Sequence, residues 1–481
     1  MNFKQAKTMK VTLGLASMLL AAAPLTTAAA AAQEDETTAQ VRELIGSLHV
    51  SGVTADALQG KTIAEMIKSL NDPYTVYFSS NDLNSFESSL ENDYVGMGAR
   101  LAMDADGLYI QDVFPGSAAE AAGVKADDYI VAVDGTPVNP KSLDSARDRI
   151  LGEEGTHVTV TVQRGEQKLD LDVTRKPFNV SEVDSKNFGN GVGYIAVSDF
   201  SSDADADFAQ SLDDLQADGM QSLIVDLRNN PGGLLRTALG IAKQFVASGT
   251  LIHTKDRNGV DNPVPIEGGH ALNMPVYVLV NENSASASEV LSGALQDYGV
   301  AEVIGMKSYG KGSVQQLYEL QDGGALKVTI QEYLTPKLHK VNKVGITPDE
   351  VIDGGAAQLI TALRDAGMDD LSIVISKHRV TINGVEVSDS MRLLRQSGAI
   401  YAPTRALAAL IGSSVAWNEE QRAVELQDGD VVQTLPAADA DKLILEGGSS
   451  YVNLTYLADL YPQLHVKDEA GQVTIQAAKE K

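Results

Sequence analysis

The sequence predicts a multidomain chain of mixed α/β and β-rich architecture. It should contain a helical N-terminal region, a compact β-rich domain, an α/β core and a small duplicated α+β module. Three observations lead to this prediction. The 481 residues suggest about three domains, the spacing of apolar residues changes type along the chain, and the C-terminal end contains an internal repeat.

The first 32 residues have the features of a cleaved export signal. Three lysines precede the apolar stretch VTLGLASMLLAAAPLTT, and a run of alanines allows cleavage before Gln33 by the A-x-A rule. The alternative is a retained membrane anchor, although the apolar stretch is short for a span and is broken by Pro24. The protein is therefore expected outside the cytoplasm, secreted or attached to the cell envelope.

Composition excludes several classes of partner and chemistry. The net charge of −27 repels nucleic acid and anionic lipid. The absence of cysteine excludes disulfides, thiolate nucleophiles and cysteine-based zinc sites. The chain also lacks H-E-x-x-H, G-x-S-x-G and phosphate-loop motifs. No metal and no cofactor are expected.

Four regions follow the signal. Residues 33–93 show helical spacing, with one more short helix expected at 81–92. Residues 94–177 show short alternating strands, a short helix at 117–122, turns such as Asp134-Gly135 and a hairpin turning at Arg164-Gly165. Residues 178–365 alternate strands and helices, and the continuous apolar run SLIVDLRNN predicts a buried strand in a covered sheet. Within 370–481, two segments repeat the order strand, helix, strand, turn, strand, which is typical of a duplicated module.

Three short segments could carry chemistry. Lys311 lies between two glycines before an apolar strand, and burial would lower its pKa enough for it to act as a base, as in Ser-Lys dyads. Gln315 lies four residues on and would share a face with it. The alternative interpretation of Lys311 is a loop lysine beside a turn.

The second segment is SASASEV, which precedes a helix. Glu289 follows Ser286 at capping-box spacing, which is a purely structural explanation for a serine. A serine at a helix entrance would also lie beside free N–H groups that can stabilise an oxyanion. The third segment, VDLRNNPGGLL, has two glycines, Gly232 and Gly233, whose backbone can approach a ligand closely or simply form a tight turn.

With these segments the chain resembles carboxyl-terminal processing proteases, also called tail-specific proteases. The resemblance extends from Leu70 to Ile352 through LNDPYTVYF, DLRNNPGGLL, NENSASASEV, YGKGSVQQ and VGITPDEVI, in the family's order. It implies a serine endopeptidase in which Ser286 is the nucleophile, Lys311 the general base and Gln315 its partner. The implied oxyanion donors are the backbone amides of Gly232 and Ala287, with Gly233 as the alternative to Gly232.

The β-rich region resembles the PDZ domain of these proteases in YVGMGARL and GTHVTVTVQRG. PDZ domains bind extended C-termini by strand addition and hold the carboxylate with backbone N–H groups. Where relatives have IRG, this chain has Leu151, which would alter coupling to the active site. The resemblance implies a pocket lined by Met97 and Leu101, and a carboxylate-binding loop formed by Val95, Gly96, Met97 and Gly98.

The C-terminal region resembles the repeated domain found beside copper amine oxidases. Its two histidines, His378 and His465, are too few for a copper site, so we interpret it as a binding or cell-wall-associating module. Similar proteases suggest a homodimer through residues 33–93, and protein or peptide substrates with free C-termini. The alternatives are a non-enzymatic extracytoplasmic PDZ scaffold and a metal-dependent hydrolase. The intact serine, lysine and glutamine set argues against the first, and the absence of a ligand motif argues against the second.

Overall fold

The computed structural model describes most of the chain beyond the predicted export signal, which lies outside the described residues. Within the helix predicted at 81–92, only 81–83 and 86 are described. No helix in the described ranges is long and apolar enough to cross a membrane. These ranges are 35–83, 86, 94–104, 106–139, 142–178, 181–469 and 471–478.

The N-terminal region packs its helices on the α/β core. Asp35 and Thr62 cap the two α-helices by accepting hydrogen bonds from backbone N–H groups. The apolar helix faces are buried against the core strand Ala325–Leu334. Residues 76–78 lie in the region predicted to be helical, but they are extended and pair with the strand Ala325–Leu334. The elements are α1 (Glu36–Leu48), a 3-10 turn (Asp56–Leu58), α2 (Ile63–Ser69) and β1 (Val76–Phe78).

The next region is β-rich, as predicted, and has its own hydrophobic core. The predicted hairpin is present, with Arg164 opposite Gln167, and the predicted short helix is α3. A second helix, α4, was not singled out from the sequence. The elements are β2 (Tyr94–Gly96), β3 (Ala99–Met103), β4 (Leu108–Val113), α3 (Ala118–Ala121), β5 (Tyr129–Val133), β6 (Thr136–Pro137), α4 (Leu143–Ile150), β7 (His157–Arg164), β8 (Gln167–Thr174) and β9 (Lys176–Phe178).

The core contains a six-stranded sheet that is parallel except for its first strand. Every residue of its second parallel strand, β12, is buried, as expected for a sheet covered on both faces. The strands, in sheet order, are β10 (Val183–Asn187), β11 (Val192–Val197), β12 (Ser222–Asp226), β15 (Val276–Val280), β16 (Glu302–Gly305) and β19 (Glu350–Val351). The helices are α5 (Ala204–Ala217), α6 (Leu235–Ala242), α7 (Ala287–Tyr298) and α8 (Gly355–Asp365).

A second core sheet is antiparallel, whereas the sequence predicted a single layer. The segment after Lys311 forms a hairpin with the following strand, with Glu319 opposite Ala325. A short turn joins strands only in antiparallel order, so this segment cannot continue the parallel sheet. The strands are β13 (Gly249–Asp256), β14 (Asp261–Ile266), β17 (Ser313–Glu319) and β18 (Ala325–Leu334), with β1 paired to β18.

The C-terminal module has the predicted repeat. The unit β24–α9–β25–β26 recurs as β29–α10–β30–β31, and the first strands of the two units pair with each other. The elements are β20 (Asp370–Ile375), β21 (Val380–Ile382), β22 (Val385–Val387), β23 (Leu394–Gln396), β24 (Ala399–Pro403), α9 (Thr404–Ile411), β25 (Ser414–Asn418), β26 (Ala423–Asp428), β27 (Val431–Pro436), β28 (Leu443–Glu446), β29 (Ser449–Asn453), α10 (Leu454–Leu460), β30 (Leu464–Glu469) and β31 (Gln472–Ala478).

This module is not a separate appendage, because it shares one hydrophobic core with the α/β region. Buried side chains of the parallel sheet, such as Tyr194 and Ile224, belong to the same cluster as Leu407 and Val452 of the module. A polar contact reinforces the junction: the Arg228 guanidinium at the end of β12 donates to both carboxylate oxygens of Asp389, at 3.0 and 2.8 Å.

A hairpin of the module also contacts the β-rich domain through His378. Its ring is only 8% exposed and stacks on Tyr109, with ring centroids 4.3 Å apart. Its two nitrogens lie 2.8 Å from Asp127 Oδ1 and 3.0 Å from Asp104 Oδ2. One side chain thus joins the two regions by stacking and by two carboxylate contacts.

Replacing this histidine should loosen the junction locally. We expect His378→Ala to raise amide hydrogen-exchange rates in the hairpin 376–379 and around Tyr109, because two carboxylates lose their partner. The matched control is His465→Ala, an exposed histidine of the same module. Equal exchange in the two variants would mean that the contact contributes nothing to docking.

Candidate active site

Ser286 lies at the entrance of α7, where the chain leaves the parallel strand β15. It is the helix N-cap, and its backbone has φ 54° and ψ −113°. A positive φ is uncommon for a residue with a side chain, and such strain is found preferentially at functional sites. The fold therefore holds this serine in a conformation that an ordinary cap does not need.

The other three serines of the run have structural roles. Ser284 Oγ donates to the Leu227 carbonyl, Ser288 Oγ to the Asn230 carbonyl, and Ser292 Oγ to the Ser288 carbonyl. All three are fully buried, whereas Ser286 is partly exposed. Sequence reasoning left the choice of serine to the family pattern, and burial now provides an independent physical reason for it.

The carboxylate of Glu289 joins the serine to the lysine loop. It is fully buried, and Oε2 accepts hydrogen bonds from the N–H groups of Ser286 at 2.9 Å and Lys311 at 2.8 Å. Oε1 accepts at 2.6 Å from both the Ser308 hydroxyl and the Gly310 N–H. The Glu289 side chain thus makes its half of the predicted capping box and also binds a second loop, whereas the Glu289 N–H donates to the Ser286 carbonyl and leaves the serine hydroxyl out of the cap. Burial raises the pKa of Glu289, while these hydrogen bonds oppose that rise.

Tyr333 makes a second connection between the same two residues. Its hydroxyl lies 3.1 Å from the Ser286 carbonyl oxygen and 2.9 Å from the Lys311 carbonyl oxygen. The side chain is 2% exposed and comes from β18. Backbone groups of the predicted nucleophile and base are thus held from two sides.

Lys311 occupies the loop before β17 and is half-buried. Burial lowers its pKa, as does neighbouring Lys327, while Glu289 and Asp72 oppose the effect. Its Nζ lies 4.9 Å from the centroid of the Tyr74 ring. Within the described part of the chain, no hydrogen bond joins the Lys311 amine to the Ser286 hydroxyl. Catalytic hydrogen bonds are often long in ligand-free sites and shorten when substrate binds.

Gln315 lies in β17, but the argument from strand alternation does not apply to it. The strand begins at Ser313, after Lys311, and its register shifts between Val314 and Gln315. The Gln315 amide nitrogen donates to Ser313 Oγ at 2.8 Å and to Thr329 Oγ1 at 3.2 Å. Its carbonyl oxygen is left as the atom that can accept a hydrogen bond from an amine.

The glycine turn after β12 packs directly on the serine. A Cβ at Gly232 would lie 2.7 Å from Ser286 Cβ and 3.0 Å from the Ala287 nitrogen, so only glycine fits. The Gly232 N–H already donates to Asn230 Oδ1 at 2.8 Å. In contrast, the N–H groups of Gly233 and Ala287 donate no hydrogen bond within the described residues.

The predicted carboxylate-binding loop leads from β2 to the hydrophobic core of the β-rich domain, which it enters through Met97. Val95 and Gly96 lie in β2, and Met97 is 2% exposed, with Leu101 partly buried against the same cluster. Gly98 has φ 74°, which favours glycine. A Cβ at Gly96 would lie 3.0 Å from Leu151 Cδ2, so Leu151 packs on this loop.

Sequence reasoning missed three residues of the site. Asn230 is fully buried and holds the glycine turn, Tyr333 joins the two loops, and Tyr74 lies against the lysine amine. Asn230 stands directly before Pro231 and the two glycines, so its position offered a signal. The other two depend on contacts between distant segments. Among the residues that the structure covers, no group of three or more His, Asp or Glu side chains is placed to hold a metal ion.

Comparison with known proteins identifies a family for this chain. The model of peptidase family S41 matches residues 191–352, and a PDZ domain model matches residues 109–164. A probable CtpA-like serine protease of Staphylococcus aureus (strain bovine RF122 / ET3-1) is 35% identical over 358 residues, which cover 73% of this chain and 72% of that protein.

Two further proteins have similar names. A carboxyl-terminal-processing protease of Picosynechococcus sp. is 38% identical over 300 residues, covering 61% of this chain and 72% of that protein. The solved structure of a photosystem II D1 C-terminal processing protease is 27% identical and covers 65% of this chain and 92% of that one, with a TM-score of 0.45. From the sequence matches we conclude that the chain is a serine-type peptidase, and that it belongs to peptidase family S41, among the carboxyl-terminal processing proteases with a PDZ domain.

Proposed function

We propose that this peptidase cleaves protein chains near their C-terminal tails by a Ser-Lys acyl-enzyme mechanism. Neutral Lys311 removes the proton from Ser286 Oγ, which attacks the scissile carbonyl carbon. The tetrahedral intermediate collapses as the C–N bond breaks, and Lys311 returns the proton to the leaving amine. Water, activated by the same lysine, then hydrolyses the ester. Gln315 positions the Lys311 amine through its carbonyl oxygen.

The buried Glu289 carboxylate carries this proposal. It accepts hydrogen bonds from the backbones of both Ser286 and Lys311, although 25 residues and two different elements separate them. A buried carboxylate that connects one strained serine to one half-buried lysine fixes their relative position. Such precise placement is what a proton transfer between them requires.

For the oxyanion we assign the N–H groups of Gly233 and Ala287. Ala287 follows Ser286 in the chain, and Gly233 follows Gly232, which packs on the Ser286 side chain. Neither N–H has another acceptor in the described residues. The Gly232 N–H would have to leave Asn230 Oδ1 first. Preorganised free donors are the more effective arrangement, because they need no rearrangement as charge develops.

The PDZ domain would select and gate the substrate. A free C-terminus would extend strand β3 beside α4, with its carboxylate at Val95, Gly96, Met97 and Gly98. Leu151 packs on this loop where relatives have an arginine. Coupling to the active site would therefore depend on apolar packing rather than on a charge at this position.

Three further expectations belong to the same proposal. The export signal would direct the enzyme outside the cytoplasm, secreted or anchored in the envelope. Residues 33–93 would form a homodimer contact, and the exposed parts of the C-terminal module would bind the cell wall or a protein. Protein or peptide chains with free C-termini would be the substrates.

One experiment tests the mechanism. The purified enzyme, Ser286→Ala and Lys311→Ala are incubated with an unfolded protein substrate, with and without a chelator, and new N-termini are counted. We expect both variants to lose at least about 1,000-fold in kcat/KM and the chelator to change nothing. Ser284→Ala, a buried serine of the same run, is the control for local destabilisation. An active Ser286→Ala enzyme would refute the mechanism.

The same assay tests the PDZ assignment with a peptide substrate and its C-terminally amidated twin. The amidated peptide lacks the carboxylate and should be cleaved at least about tenfold more slowly at low concentration, because the backbone N–H groups lose a charged acceptor. Equal rates would assign the loop another role.

The pH dependence follows from the state of Lys311. Only the neutral amine is a base, so kcat/KM should rise as pH passes through its pKa. Because burial lowers that pKa, we expect a midpoint below about 10.4, the usual value for lysine. A midpoint near that value would argue against a partly buried base.

Neutralising Glu289 should uncouple the two residues. In Glu289→Gln an amide NH₂ replaces one acceptor and faces N–H donors, which costs about 1–3 kcal/mol for each unsatisfied group. We expect kcat to fall at least about tenfold while binding of a C-terminal peptide to the PDZ domain stays unchanged. Glu282→Gln, an exposed glutamate of the same segment, should have wild-type kcat. Parental kcat in Glu289→Gln would contradict the proposed link.

A further inference from the structure

The aromatic ring of Tyr74 forms one wall of the site around the Lys311 amine. Lys311 Nζ lies 4.9 Å from the ring centroid, within the range of a cation–π contact. Tyr74 belongs to the N-terminal region, for which the sequence predicts a dimer contact. This region therefore also contributes a side chain at the candidate active site.

The segment around Tyr74 is fixed by a network centred on Asp72. One carboxylate oxygen accepts a hydrogen bond from the Tyr74 N–H at 3.0 Å, and the other from Thr75 Oγ1 at 2.7 Å. His49 Nε2 lies 3.2 Å from the second oxygen. Thr75 Oγ1 in turn accepts from the Thr329 N–H, and β1 follows immediately as a strand of the core sheet. The ring is thus attached to the sheet that carries the lysine loop.

The charged groups around the Lys311 amine show what the Tyr74 ring can contribute that a carboxylate cannot. Glu289 and Asp72 attract the ammonium form, and Lys327 repels it. Both carboxylates already accept several hydrogen bonds. A carboxylate in direct contact would hold the proton too strongly for a base that must release it. An aromatic face attracts the ammonium less strongly than an ion pair does.

We propose that Tyr74 is a positioning residue for Lys311, whose ring face receives the ammonium group formed when the lysine takes the serine proton. This inference rests on the proposed role of Lys311 as the general base. It explains why the amine contacts a ring while no hydrogen bond joins it to Ser286 in the described residues. The ring holds the protonated state, and the amine turns to the serine when it is neutral.

The Tyr74 hydroxyl is not required for this role. Burial is the main cause that raises the pKa of Tyr74 to about 12, and the neighbouring Tyr309 hydroxyl is the second. The Tyr74 side chain therefore stays uncharged over the pH range of the activity profile. Phenylalanine at position 74 should therefore function as tyrosine does, and the electron density of the ring face should determine how strongly the ring stabilises the Lys311 ammonium.

The test incorporates phenylalanine and mono-, di- and trifluorophenylalanine at position 74 of the full-length enzyme. Fluorine withdraws electron density from the ring face but hardly alters its shape, so folding is preserved. The ring stabilises the ammonium form, and weakening it lowers the pKa of Lys311. We expect the midpoint of the kcat/KM–pH profile to move to lower pH with each fluorine, by about half a pH unit over the series.

Two controls complete the design. The same series at Tyr77, which lies three residues further on in β1 and whose hydroxyl donates to Asp322, should leave the midpoint unchanged. Tyr74→Leu should lose activity, whereas Tyr74→Phe should retain it. Asp72, Glu289, Lys327 and Tyr309 are present in every variant, so the shift reports the ring alone.

The outcomes separate this inference from the proposed function. An unchanged or rising midpoint over the fluorine series, with Lys311→Ala inactive, would overturn the role of Tyr74 and leave the mechanism intact. An active Lys311→Ala enzyme would overturn the mechanism itself. A graded fall at position 74 but not at 77 would support the inference, because a purely structural ring would not respond to fluorine.

Discussion

One buried carboxylate, that of Glu289, determines how the candidate active site is arranged. Four hydrogen bonds converge on it from the serine turn and the lysine loop. A charge without exposure to water is tolerated only when such donors surround it. The strained backbone of Ser286 and the position of Lys311 both depend on this group. It therefore connects the loop after β15 of the parallel sheet, which carries the serine, with the loop before β17 of the antiparallel sheet, which carries the lysine.

Two other segments add one group each to this centre. The N-terminal region contributes the Tyr74 ring, and the loop after β12 contributes the Asn230 amide that holds the glycine turn. The module's Asp389 carboxylate binds Arg228, two residues before Asn230 in that loop. These contacts join segments far apart in the chain. The site is consequently a product of the whole fold, and it would be sensitive to changes in domain packing as well as to changes at the chemistry itself.

The sequence predicted the elements better than their assembly. The β-rich domain, the buried strand β12 and the duplicated module were foreseen, because periodicity and repeats are local signals. The second sheet was not, because a strand signal does not say which sheet the strand joins. The choice of Ser286 as the nucleophile came from the family pattern. The complete burial of Ser284, Ser288 and Ser292 now distinguishes it from the other serines of the run. Strand alternation did not apply to Gln315, because β17 begins after Lys311 and its register shifts before Gln315. Tyr74 could not be predicted, because its contact with Lys311 joins segments that are far apart in the sequence.

The shared hydrophobic core has a practical consequence for dissecting this protein. A chain cut after residue 369 would retain every segment of the family motif, yet it would uncover the apolar face of α8 on which α9 of the module packs, and it would leave Arg228 without Asp389. Exposed apolar surface of that kind promotes aggregation. The smallest autonomous unit of this protease is therefore larger than its family motif, and what resembles an accessory domain in sequence is part of the enzyme's interior.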